Sequence, residues 1–428
     1  MAGSRFLNNL LRSVPSMPNS LSPATPSRGQ EKVITRQFVT VVVAGLFYFF
    51  SLGMLLPVVP LFVAGPLGGS ELAVGILVGS FSIGAVLIRP FAGRIGDRMG
   101  RKVLIVGGAC VVGVSVGLYL LVTGPEMLFA ARLLGGVGEA AFFVGAGTMV
   151  TDLAPPSRRG EAISYWSVAV YSGLAFGPAL GEFVLDGTHF NRVWMLALVF
   201  ASLSAVIGCF TTETVVPSPL GGAPAPLINR AALTPGFVLF LGMIGLAGFA
   251  AFMPLYVGDV GLQDSSSVFL LYGCTILVVR IVGAKIPDRI GPLRAGTLST
   301  VAAALGLLII AFVQTKFGLY LGTVIFSIGM SLLYPSVLTL ALTGVPDSER
   351  GSAVGTISSF FDLSQGIGAA VLGVSVKFGG YRAGFTLAAV AAVAALVLLR
   401  SGIDPRARGP IDHQAAIAAG EYLEPDPP

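Results

Sequence analysis

The chain has 428 residues, 54% of them hydrophobic and only 11% charged, with a mean hydropathy of +0.86. An ordinary soluble domain carries about 25% charged residues, so a water-soluble globule is excluded, and so is a disordered chain. The net charge of +5 and the pI near 9.2 invite a nucleic-acid reading, which fails because no soluble domain gathers the basic residues on one face. Three cysteines (Cys110, Cys209, Cys274) lie in apolar runs, and two histidines (His189, His413) lie far apart. That excludes a disulfide scaffold and a zinc protein, and neither a metal nor a cofactor is expected.

In chain order, residues 1–36 read as a polar N-terminal tail rich in Ser, Pro and Arg. It is either a short disordered cytoplasmic tail or a segment of transit-peptide composition. Twelve apolar runs follow, at 38–63, 71–91, 103–123, 127–150, 161–185, 193–211, 235–258, 266–284, 295–313, 317–342, 352–376 and 381–400. Each approaches the roughly 20 residues that a bilayer-crossing helix needs. The 57 glycines suit helices that approach closely in lipid. A Pro/Gly-rich linker at 213–234 separates residues 37–212 from residues 235–400, and 401–428 form a polar tail.

Twelve spans place both termini on one side. Connections and helix ends on that side hold Arg89, Arg94, Arg98, Arg101, Lys102, Arg158, Arg159, Arg230, Arg280, Lys285, Arg289, Arg294 and Arg350. The other side holds only Arg192, Lys316, Lys377 and Arg382. This asymmetry predicts cytoplasmic termini in a multi-pass protein of the cell membrane.

The two halves repeat. Arg89 to Gly100 realigns 191 residues later onto Arg280 to Gly291, and Pro155, Arg159, Gly160 and Ala162 realign at the same offset onto Pro346, Arg350, Gly351 and Ala353. Pro60-Leu-Phe-Val pairs with Pro254-Leu-Tyr-Val at an offset of 194. Two six-helix bundles related by a parallel repeat, with a seam at mid-bilayer, are an architecture of alternating-access transport.

Gly93-Arg-Ile-Gly-Asp97-Arg98-Met-Gly100-Arg101-Lys102 resembles motif A of the major facilitator superfamily, and the segment with Asp288, Arg289 and Gly291 resembles its second copy. Arg132-Leu-Leu-Gly-Gly136-Val-Gly138 resembles motif B. Gly173-Leu-Ala-Phe-Gly177-Pro178-Ala-Leu-Gly181 resembles motif C, the mark of the proton-coupled drug-antiporter branch, although Glu182 stands where the motif ends in glycine. The resemblance covers about 37–400. It implies an all-α polytopic membrane protein with twelve transmembrane helices in two pseudo-symmetric six-helix bundles. It further implies that Asp97 meets the N-terminus of the eleventh span near Ser348–Gly351, latching the outward-open state, and that Arg101 pairs with Asp152. The glycines of motif C would pack the fifth span against its counterpart across the seam.

Within the fourth span Arg132 and Glu139 lie seven residues apart, nearly on one helix face. Charges in lipid are costly and mark partners or watery cavities. A carboxylate that alternates between an apolar site and a nearby arginine can load and release a proton, which makes Glu139 the leading coupling residue. The alternatives are a static Arg132–Glu139 pair and a substrate-binding acid. Asp362, flanked by Ser358, Ser359, Ser364 and Gln365, is the second midplane acid, open between a proton, a cationic substrate and an interface hydrogen bond. Glu182 is expected to snorkel to water near the end of its span.

The resemblance implies that the first, fourth, seventh and tenth spans line the cavity. They offer Phe47, Tyr48, Phe50, Ser51, Phe249, Phe252, Tyr256, Phe326, Ser331 and Tyr334, an aromatic set suited to a hydrophobic or amphipathic substrate. Gly113-Val-Ser115-Val-Gly117 fits a nucleophile elbow only by spelling, since it sits inside an apolar span and no histidine lies in any span. A membrane enzyme is therefore not expected, while a non-transporting receptor or scaffold stays open. The expected function is a monomeric secondary transporter for a small-molecule substrate and protons in a lipid bilayer. It exports amphipathic or drug-like compounds or, alternatively, takes up a sugar or organic acid by symport.

Overall fold

The computed structural model describes residues 33–155, 158–214, 228–283, 290–343, 345 and 350–402. These residues are all-helical. In chain order the helices are α1 (Arg36–Ala64), α2 (Glu71–Met99), α3 (Arg101–Tyr119), α4 (Pro125–Asp152), α5 (Arg159–Leu185) and α6 (Phe190–Cys209). They continue as α7 (Leu233–Tyr256), α8 (Ser266–Gly283), α9 (Pro292–Phe312), α10 (Lys316–Leu342) and α11 (Arg350–Gly402). Local chemistry sets several starts. Thr35, Ser70 and Thr315 accept a backbone N–H with their side-chain oxygens at the heads of α1, α2 and α10. Pro125 and Pro292 open α4 and α9, where their missing N–H has no intrahelical role.

Ten of these helices are long and apolar enough to cross a membrane, and α8 is the shorter apolar one. α11 holds the expected eleventh and twelfth spans as two helices that meet at a kink, where Gly380 takes the non-helical φ 68° and ψ −178°. About 80 Å of helix cannot fit a hydrocarbon core of about 30 Å without such a bend. The large apolar side chains left outside, such as Phe183, Val282, Phe317 and Phe378, face outward from the bundle, as lipid-facing residues do.

Glycines bring the helices together. A Cβ added at Gly108 would lie 2.5 Å from Phe142 N and 2.7 Å from Gly138 O, joining α3 to α4. At Gly306 it would lie 2.5 Å from Phe326 N and 2.7 Å from Gly322 O, joining α9 to α10 in the same geometry. The turns into α3 and α9 match as well, with Gly100 at φ 105° and Gly291 at φ 85°. Such positive φ values are open to glycine at no steric cost. The repeat in the sequence is therefore matched by a repeat in packing. Between the first six helices and the rest, α2 meets α11 through Gly75 against Ala369 and Gly79 against Gly366, while α5 meets α8 through Ala175 against Gly273.

A central cavity with a buried ion triad

A cavity of about 560 Å³ opens among α1, α2, α4, α5, α7, α8, α10 and α11. Its walls are mostly apolar, and three charged side chains meet on them. Arg89 of α2 donates from Nη2 to Glu139 Oε2 of α4 at 3.0 Å and to Asp362 Oδ1 of α11 at 3.0 Å, while its Nε faces Asp362 Oδ2. The side chains of Arg89, Glu139 and Asp362 are 7%, 14% and 6% exposed, so each depends on the others in place of water. The Phe143 ring lies 5.4 Å from the Arg89 guanidinium carbon, which adds a cation–π contact.

Glu139 thus pairs with Arg89 and not with Arg132. Seven residues are two helical turns, about 10.5 Å along α4, too far for the two side chains of one helix to meet directly. Arg132 instead donates to Val78 O at 2.7 Å and lies 5.3 Å from the centre of the Phe81 ring. Arg89 was legible from sequence only as one basic residue among many on the terminus side. The signal that could have found it was its place inside an apolar span, with Arg280 repeating it 191 residues later.

Of the cavity residues expected from the first, fourth, seventh and tenth spans, Phe249 and Tyr334 lie on the wall. The rest turn into helix interfaces. Tyr48 stacks on Phe142 with ring centres 3.7 Å apart, Ser51 donates to Ala197 O, and Phe47 and Phe50 pack on Phe200. Tyr256 donates to Ile310 O, Phe252 faces a cleft beside Tyr381 and Phe385, and Ser331 donates to Ile276 O at 3.5 Å. Phe326 stacks on Phe249. The wall draws as much on α2, α5, α8 and α11, because the cavity follows the seam between helices rather than four chosen spans.

At the end of the bundle that holds Met99 and Asp152, Arg101 Nε lies 3.5 Å from Asp152 Oδ2. Glu213 accepts the backbone N–H groups of Arg101 and Lys102 at 2.9 and 3.1 Å, where the positive end of α3 favours a carboxylate. Arg98 is exposed there, and Gly93 has no neighbour within 4 Å of where a Cβ would stand. The side chain of Asp97, the residues Asp288 and Arg289, and Ser348 lie outside the described residues.

Motif C faces a different neighbour from the one implied. Gly173, Gly177 and Gly181 lie against Phe49, Gly53 and Met54 of α1, and a Cβ on Gly177 would stand 2.8 Å from Gly53 Cα. The seam contact of α5 is made instead by Ala175, about 200° round the helix from Gly173. Pro178 lies within α5 beside this stripe. Glu182 does not snorkel to water. It accepts from Ser265 N at 3.1 Å, from Ser265 Oγ and from Ser266 Oγ at 2.6 Å, tying the end of α5 to the start of α8.

A helical membrane bundle whose central cavity holds a buried charge cluster defines a membrane transport protein. The chain matches the family model described as Major Facilitator Superfamily over residues 41–369 and 318–420, and it belongs to that family. It is 30% identical over 355 residues to an uncharacterised MFS-type transporter of Salmonella typhimurium (strain LT2), covering 81% of this chain and 91% of the relative. It is 28% identical over 370 residues to multidrug resistance protein 1 of Bacillus subtilis (strain 168), covering 82% and 93%. Among solved structures, the peptide transporter POT in complex with alafosfalin shares the fold, with a TM-score of 0.72 at 16% identity over 86% of this chain and 94% of that one. Relatives and fold are those of transporters, not of enzymes.

Proposed function

We propose that the protein is a secondary transporter that works by alternating access and exports small amphipathic, drug-like compounds in exchange for protons. The reading rests above all on Arg89, which holds one carboxylate from α4 and one from α11 inside an apolar cavity. A proton on Asp362 removes one of the two charges that hold the arginine and loosens the α2–α11 contact, and a proton on Glu139 does the same for the α2–α4 contact, so proton loading and helix contacts become linked. The Bacillus relative's name supports a multidrug substrate range. In this reading residues 37–212 and 235–400 rock as two halves of twelve spans. The protein acts as a monomer in the cell membrane, with both termini in the cytoplasm.

Contacts at the two ends support an inward-open state. At the Glu71 end, Gly75 and Gly79 press on Ala369 and Gly366, and Glu182 joins α5 to α8. At the other end Gly93 on α2 and Gly355 on α11 face open space. Uptake by symport is the second reading, favoured by Glu182 in place of the motif C glycine.

The test is flux in proteoliposomes under an imposed pH gradient, with a panel of lipophilic ions and sugars. Glu139→Gln is expected to reduce gradient-driven accumulation at least tenfold while the purified protein elutes normally. Wild-type accumulation by that variant would remove Glu139 from the coupling role, and gradient-driven sugar uptake in place of drug export would select symport.

A further inference from the structure

Arg280 of α8 is the repeat counterpart of Arg89, and the same 191-residue offset places Tyr171 opposite Asp362. The pairing follows the repeat. Arg89 reaches from α2 to Asp362 on α11, and Arg280 reaches from α8 to Tyr171 on α5. Where the first arginine meets two carboxylates, the second meets a neutral phenol. Its Nη2 donates to Tyr171 Oη at 2.6 Å, and its guanidinium carbon lies 4.1 Å from the ring centre. Arg280 Nε is shielded from water and has no acceptor among the described residues. A guanidinium carries five N–H donors, and an arginine placed only for topology would instead reach water.

Both residues stand on the cavity wall. Among the described residues that wall carries three guanidinium groups, Arg89, Arg132 and Arg280, against two carboxylates, and Arg89 occupies both carboxylates. Ile276 and Tyr272 precede Arg280 at four-residue steps along α8 and line the same cavity. The apolar track beside the Arg280 guanidinium is therefore about 6 to 12 Å long.

From this geometry we propose that Arg280, held against the face of the Tyr171 ring, is an anion subsite. It takes the carboxylate or sulfonate head of an amphipathic organic anion whose apolar body lies along Ile276 and Tyr272. The subsite rests on the reading of the central cavity as the substrate site, and it narrows that reading from amphipathic compounds in general to anionic ones. A planar guanidinium matches the two oxygens of a carboxylate in a way that an ammonium does not. Lipophilic cations are disfavoured at this site by Arg132 and Arg280, neither of which has a carboxylate partner among the described residues.

Three radiolabelled probes with one apolar body separate the cases: 2-naphthoate, 2-naphthamide and (2-naphthyl)trimethylammonium. Binding is read by scintillation proximity on protein in neutral-lipid nanodiscs, with empty nanodiscs as the blank. Wild type is expected to bind naphthoate most tightly. Arg280→Gln should weaken naphthoate about tenfold or more, with naphthamide within about twofold, since hydrogen bonds to a charged group are the strong ones. Arg280→Lys should recover part of the loss. Tyr171→Phe, which keeps the cation and removes its competing acceptor, should leave naphthoate binding unchanged or tighter.

Equal naphthoate affinity in wild type and Arg280→Gln overturns the subsite. So does a wild-type preference for the ammonium probe, or loss of naphthoate binding in Tyr171→Phe. Flux of the same probes keeps the two readings apart. Arg280-dependent naphthoate binding without gradient-driven flux of any probe would defeat the transport reading and leave the subsite standing. Gradient-driven flux of the ammonium alone, indifferent to Arg280→Gln, would do the reverse.

Discussion

Arg89 stands between two acids drawn from helices far apart in the chain, and its own position gives the charge cluster its consequences. A buried ion pair is weak evidence for stability, yet removing one partner leaves uncompensated charge and costs about 3–5 kcal/mol. Arg89→Met removes the cation and leaves Glu139 and Asp362 facing the cavity without it. The thermal midpoint in detergent is expected to fall clearly at pH 8 and to recover in part at pH 5. The sign follows from the acids: as pH falls they take up protons, and the unpaired charge that made the variant unstable disappears. An equal drop at both pH values would mean that the arginine acts through packing alone. The two acids were legible in the sequence as charges inside apolar spans, but their common partner was not. Arg89 and Asp362 are 273 positions apart, and no local pattern joins them.

At the scale of helices, small residues decide which faces meet. The stripe Gly173, Gly177 and Gly181 was readable as a packing face from its four-residue spacing, whereas its neighbour was not, because spacing gives a face without saying which way the helix is turned. In the fold the stripe lies on α1. Gly177→Ala is expected to destabilise the protein by about 1–3 kcal/mol, because the new methyl must displace the α1 backbone at Gly53. Gly107→Ala on α3, where a Cβ meets nothing within 4 Å, should stay within about 1 kcal/mol of wild type. Thermal unfolding of both variants in one detergent tests the pair, and similar midpoints would count against the close α1–α5 contact. The bend at Gly380 was anticipated as a break between two spans. The kink there uses a backbone conformation reserved for glycine.

At the scale of the whole molecule, the proposed rocking needs contacts that hold one end shut and can part. Glu182 joins α5 to α8 through three acceptor contacts at the Glu71 end. In Glu182→Ala those contacts vanish, and the population is expected to shift toward a form open at that end. Spin labels at Thr188 and Gln263, in a background with Cys110, Cys209 and Cys274 replaced, should report longer distances than in the parent. An unchanged distribution would assign Glu182 to capping α8 alone.

Hydropathy, charge placement and the internal offset were enough to read a membrane protein of repeated helical halves, where its apolar spans run, and that rare charges lie inside them. Each of these follows from quantities that add along the chain: the transfer free energy of successive side chains, the imbalance of basic residues, and the recurrence of a pattern at a fixed offset. It took the packed helices to show that Glu139 takes Arg89 rather than Arg132, that Glu182 ties α5 to the start of α8, and that Arg280 faces a tyrosine instead of an acid. The reason is rotational and long-range. A helix in lipid can turn about its axis with little change in hydropathy, so which side chain meets which neighbour is fixed only when all the helices pack against one another.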